Sequence, residues 1–93
     1  MLGEEWRLAP FPEYESIYVS NYGRLMKQDG VLTFGNQQGG YLVISLRKQS
    51  GGKTNVRVHR LIAASYLGRN NDLMVNHKDG NKQNNRLDNL DHT

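Results

Sequence analysis

An α+β fold is what this sequence predicts: a small antiparallel β-sheet module over its first half, followed by a short helix and a polar β element. Three observations predict it. Apolar and polar residues alternate with period two between positions 14 and 58, broken by glycine-containing turns. The period lengthens to that of a helix over residues 59–67. The stretch 69–93 then holds seven Asn and few apolar residues, too many amides for a helix interior.

Taken in order, residues 16–20 form a first strand, and Asn21-Tyr22-Gly23 offers a turn with glycine free to take positive φ. Residues 24–27 form a second strand, Asp29-Gly30 a hairpin turn, and residues 31–33 the return. Residues 36–40, Asn-Gln-Gln-Gly-Gly, read as a polar link. The strongest strand covers 41–47. Gly51-Gly52 turns it back into 54–58, with Val56 and Val58 on one face and Asn55 and Arg57 on the other. A helix of about two turns follows, clustering Leu61, Ile62, Ser65 and Tyr66, with Gly68 as its C-terminal cap. Beyond it, Met74-Val75-Asn76 makes a short strand before Asp79-Gly80. The amide-rich segment must be ordered by side-chain-to-backbone hydrogen bonds or by a bound ion.

Composition narrows the chemistry. Ninety-three residues bury a modest core. Without cysteine, disulfides and thiolate metal sites are excluded, so any metal site must use His, Asp or Asn. The longest apolar runs, such as 41–44, are far too short to span a bilayer. The start, Met1-Leu2-Gly3-Glu4-Glu5, lacks the features of a secretory signal, and an intracellular protein is expected. Net charge is +3, but unevenly distributed. Residues 1–15 carry Glu4, Glu5, Glu13 and Glu15 against Arg7, whereas residues 16–71 carry eight bases against Asp29. A basic middle of this kind attracts a polyanion, or is simply a solvated basic face.

The chemistry centres on residues 75–85 and 89–90. A tight Asp79-Gly80 turn after a strand holds His77 on a rigid strand end, where a neutral imidazole can deprotonate water near pH 7. A neighbouring amide or carboxylate oxygen can bind a divalent cation. Asn89, followed by Leu90, suits a buried amide that ties the loop together; the plainer alternative is an Asn-rich loop whose His caps the turn.

The strings Val58-His59-Arg60-Leu61-Ile62-Ala63, Val75-Asn76-His77-Lys78-Asp79-Gly80-Asn81-Lys82, Asn84-Asn85 and Asn89-Leu90 resemble the HNH endonucleases of phages and mobile introns. Glu5-Trp6-Arg7, Tyr14-Glu15 and residues 18–24 resemble the β-rich module that precedes the nuclease motif in many homing endonucleases of this family. The resemblance implies a β-rich DNA-binding module over 1–57 and a ββα-metal motif over 58–93, short of most of its C-terminal helix. It implies metal-dependent nicking or cleavage of double-stranded DNA with Mg²⁺ or another divalent ion, in the cytoplasm of a phage-infected bacterium. His77 would be the general base; Asn76 and His77 would lie at the metal; Asn89, His59, Asp79 and Gly80 would be structural members of the motif. Arg24, Lys27, Arg47, Lys48, Lys53, Arg57, Arg60, Lys78 and Lys82 would face DNA. Asn76 stands where the family often places Asp, and little chain follows Asn89-Leu90 for a third site residue. The alternative is a non-catalytic module holding DNA or a protein, for example an inhibitor of a host defence complex. A homodimer that covers exposed apolar surface is a further expectation.

Overall fold

The computed structural model describes residues 3–70 and 72–93; Met1, Leu2 and Asn71, read above within the non-signal start and the amide-rich segment, lie outside the described residues. The expected α+β architecture is present, as three small antiparallel sheets around one helix. The first sheet has the order β1-β2-β3-β4: β1 (Trp6–Leu8), β2 (Ile17–Ser20), β3 (Leu25–Lys27) and β4 (Leu32–Thr33). The second is β5 (Asn36–Gln38), β6 (Tyr41–Arg47) and β7 (Lys53–Arg57). Helix α1 (Val58–Leu67) follows β7 without a loop and ends at Gly68, whose φ of 96° is open to glycine. The last sheet pairs β8 (Val75–His77) with β9 (Leu90–His92), joined by a loop that closes in a 3₁₀ turn, Leu87–Asn89.

Two elements depart from the expectation. The polar link at 36–40 is instead the edge strand β5 and its hairpin turn: Asn36, Gln37 and Gln38 pair with Val43, Leu42 and Tyr41. Gly39 and Gly40 both take positive φ, which matches a two-residue hairpin turn, so turn chemistry and the backbone ladder override the poor strand propensity of amides. Strand β1 was not foreseen; it exists because Trp6, Arg7 and Leu8 register against Ser20, Val19 and Tyr18 of β2. Residue 58 begins the helix rather than ending β7, and β8 lies one residue later than expected.

One apolar cluster joins these parts. Ile17, Val19 and Leu25 of the first sheet meet Ile44, Leu46 and Val56 of the second, Leu61 and Ile62 of α1, and Leu90 of β9. Residues on the two sides of position 57 therefore share a core, and α1 is the beam between them. Its C-terminal half is tied to the first sheet: Tyr66 Oη donates to Glu5 O (2.7 Å), and Arg7 donates to Ser65 O (3.1 Å) with its guanidinium 4.5 Å from the Tyr66 ring. Its N-terminal half carries Val58 and His59 into the region described next. Among the described residues no helix is long and apolar enough to cross a membrane.

Candidate active site

The loop after β8 owes its shape to its own side chains. Gly80, at φ 76°, donates its N–H to His77 O (2.9 Å) and closes the turn. Asp79 Oδ1 accepts from Asn81 N (2.7 Å) and Asn89 Nδ2 (2.9 Å), and Oδ2 accepts from Asn84 Nδ2 (2.9 Å). These donors favour the charged carboxylate, and the Asn84 amide first, then the Asn81 N–H, hold the Asp79 carboxyl below its ordinary range. Asn81 Oδ1 takes Gln83 N (3.0 Å), continuing the ladder in which an amide imitates a backbone turn. Asn89 is the knot: its Oδ1 accepts from Asp79 N (3.1 Å), its Nδ2 also donates to Asn84 O (2.9 Å), and its own carbonyl accepts Lys78 N (2.8 Å).

This loop delivers Asn85 to His77. Both are buried, at 4% and 9% exposure, and His77 Nε2 lies 2.9 Å from Asn85 Oδ1. With the Asn85 amide oxygen as acceptor, Nε2 is the donor of this contact, and Nδ1 is the ring nitrogen that lies outside it. The ring plane has a second restraint. His59, from the first turn of α1, meets His77 edge-on at 5.1 Å and 83°. Tyr41, from the start of β6, stands 5.3 Å from His59 and 6.4 Å from His77. Burial first, then the charges at His77, Arg57 and Arg60, push the His59 pKa down to about 4, so His59 is neutral at pH 7.

Strand alternation sends Asn76, exposed, to the face opposite His77. Asn76 instead faces Asp91, its partner in the β8–β9 register, and Asp91 Oδ1 is buried without a hydrogen-bond partner. Among the described residues no three His, Asp or Glu side chains gather at one point.

The nine basic residues singled out above divide sharply. Arg24 is held by two hydrogen bonds to the Glu4 carboxylate, through Nε at 2.7 Å and through Nη2. Lys27 Nζ donates to Ser45 O (2.7 Å) and lies 3.9 Å from Glu15. Segment 13–15 runs beside the end of β6, with Glu15 Oε2 accepting from Arg47 N (2.6 Å). The acidic start of the chain thus neutralises part of its basic middle, in pairings across 12 and 20 residues that charge counting in sequence cannot see. Arg47, Lys48 and Lys53 surround the β6–β7 hairpin; Arg57 and Lys82 lie over the Tyr41 ring at 4.2 and 4.9 Å; Lys78 is exposed on the loop. Arg60 lines a cleft with Arg57, His59, Tyr41 and His92. Two residues of this region were given no role from the sequence, and a third, Asp91, was considered with His92 only as a possible stand-in for the third site residue. Asn85 is one of an adjacent amide pair, Tyr41 reads as an ordinary strand residue, and Asp91 depends on the register of β9.

Residues 56–91 match the family model described as HNH endonuclease. The chain is 31% identical over 93 residues to a protein of Acanthamoeba polyphaga mimivirus named uncharacterized HNH endonuclease L247, covering 95% of this chain and 23% of that one. It is 41% identical over 90 residues to DNA endonuclease I-HmuI of Bacillus phage SP01, covering 92% of this chain and 50% of that one. The solved structure of DNA binding and cleavage by the HNH homing endonuclease I-HmuI superposes with a TM-score of 0.76 at 34% identity, over 96% of this chain and 52% of that one. The chain thus spans half the length of that phage relative and less of the viral one. Family model, relatives and fold agree, and the chain belongs to the HNH endonuclease family.

Proposed function

We propose that this chain binds double-stranded DNA and hydrolyses a phosphodiester with the help of a divalent cation, His77 acting as general base. The observation that carries this reading is the His77–Asn85 contact. It occupies Nε2 and leaves Nδ1 as the nitrogen that would take a proton from water, on a ring packed edge-on against His59. Water attacks phosphorus as Nδ1 takes its proton, the P–O bond to one ester oxygen breaks, and that oxygen leaves as the sugar hydroxyl, taking a proton from solvent water. The Asn89–Asp79 knot acts as a positioning element, since it fixes the loop from which Asn85 reaches back.

The donor set suits a hard cation. The Asn76 amide oxygen and the Asp91 carboxylate share one face of the β8–β9 hairpin, and the orphaned Asp91 Oδ1 is a group that a cation would satisfy. Mg²⁺ commonly rests on one or two protein oxygens, with water and phosphate oxygens completing its shell. When bound, such an ion supplies charge stabilisation to the phosphoryl oxygens. Asn76 and Asp91 would hold it, leaving His77 for the proton.

Nicking of supercoiled plasmid in Mg²⁺ or Mn²⁺, beside an EDTA control, tests the reading. His77→Ala should abolish nicking and leave DNA affinity nearly unchanged. Equal nicking by the variant removes His77 as the base. No nicking in either metal, with DNA binding retained, assigns the chain to the non-catalytic DNA-binding alternative.

A further inference from the structure

Two groups stand out among the described arginines and lysines, although Arg24, Arg69 and Arg86 of the first also lie over aromatic rings, as does Arg7. Arg24, Lys27, Arg69 and Arg86 each have a carboxylate within 4 Å, in Glu4, Glu15, Glu13 and Asp88. Their charge is largely cancelled where it stands. Arg57 and Lys82 have no carboxylate at that distance among the described residues, and an aromatic ring holds them instead. The Arg57 guanidinium lies 4.2 Å and the Lys82 ammonium 4.9 Å from the centroid of Tyr41. A cation–π contact orders a cation through the ring quadrupole without adding a negative charge. Both charges therefore remain available to an anion.

Their origins make the convergence specific. Arg57 is the last residue of β7, immediately before α1, whereas Lys82 comes from the loop that carries Asn85. The stem of Lys82 passes over the β5–β6 turn, its Cδ 4.0 Å from the point where a side chain at Gly40 would begin. The ring that gathers them is the same ring that stands 6.4 Å from His77. Among the described residues α1 has no acid in its first turn, and no side chain caps its N-terminus.

We propose that Tyr41 is the platform of a phosphate clamp, in which Arg57 and Lys82 grip phosphodiester oxygens of the DNA backbone beside His77. The inference rests on the DNA-binding reading above and deepens it, by assigning two of the basic residues to the reaction centre rather than to the backbone at large. Tyr41 is a positioning residue: it touches the two cations and the histidine cluster.

The test is binding of a short DNA duplex by the full chain, followed by fluorescence anisotropy across a salt series. Each phosphate contact contributes about −0.9 to the slope of log K against log salt. Arg57→Gln and Lys82→Gln should each reduce the slope by about that amount, and the double variant by about twice it. Tyr41→Phe keeps the ring and should bind like the natural chain. Tyr41→Leu should weaken binding roughly five-fold, and that loss should vanish when Tyr41→Leu is placed in the Arg57→Gln/Lys82→Gln background. An unchanged slope in the double Gln variant overturns the clamp. A Tyr41→Leu loss of equal size in both backgrounds overturns the platform. Arg57 and Lys82 are exposed, so the slope measurement decides the clamp even if Tyr41→Leu fails to fold. A natural chain that binds no duplex at 50 mM salt removes the DNA-binding reading itself, which separates that failure from failure of the clamp.

Discussion

His59 ties the stability of this chain to pH. Its ring is buried between Tyr41 and His77, and its pKa is about 4 against an ordinary value of 6.5. The unfolded chain therefore binds this proton more tightly than the folded one. Stability is complete above pH 6.5, declines as pH falls through that value, and stops declining below about 4, where the folded form is protonated too. The gap of about 2.5 pH units corresponds to a loss of about 1.4 kcal/mol by pH 5.5 and about 3 kcal/mol by pH 4. Against a typical total of about 5–15 kcal/mol, that is a large share. Urea unfolding at pH 7, 5.5 and 4 measures it, with His59→Phe as the comparison, since Phe keeps an aromatic edge and cannot take the proton. The difference in unfolding free energy between the two should shift by these amounts in favour of His59→Phe. The carboxylates of Glu4, Glu13 and Asp79, whose pKa values are lowered, begin to lose their contribution near pH 4.5, at the acid end of this range, and do so equally in both chains. Parallel losses in the two proteins would refute the account of His59 as a buried neutral base.

Three substitutions probe the scaffold. A Cβ at Gly35 would lie 2.8 Å from Val43 O and 2.9 Å from Val58 Cγ2 at a φ of 95°, so Gly35→Ala should cost about 3 kcal/mol. Gly30→Ala, at a similar φ but with nothing within 4 Å, should cost about 1 kcal/mol, and thermal unfolding of the pair separates steric clash from backbone strain. Asn89→Ala removes three side-chain hydrogen bonds and should cost about 2 kcal/mol in urea. An Asn89→Ala chain of unchanged stability would mean that the loop is ordered without its knot.

Features that depend on neighbours in sequence were the legible ones. Strands β2, β3 and β4 of the first sheet and the β6–β7 hairpin follow from alternation and from glycines at turns, and α1 from a change of period. The amide-rich tail was expected to be ordered by side-chain-to-backbone hydrogen bonds or by a bound ion; the bonds that Asp79 and Asn81 accept from Asn81 N and Gln83 N are of the first kind, and Asn84 and Asn89 add side-chain bonds to Asp79. Long-range features were hidden. β1 is only three residues long, and its reason to exist is a partner more than ten residues away. β5 is built of amides that no propensity marks as strand. Asn85 and Asn84 are indistinguishable in sequence, yet one turns inward to His77 and the other ties to Asp79. Tyr41 becomes notable only once β7, α1 and the 78–89 loop bring Arg57, His59 and Lys82 to its ring.

The bonds that anchor α1 to the first sheet have a consequence for how the chain comes together. Arg7 reaches Ser65 across 58 residues, and Tyr66 reaches Glu5 across 61. On a ribosome, β1 leaves the tunnel well before the helix that will hold it. Its bonds to the helix must wait for nearly two thirds of the chain to be made. Closing so wide a loop is slow relative to forming the hairpins inside it. The hairpins should therefore form first, and the docking of α1 onto β1 should be the late, rate-limiting event that locks His59 against His77.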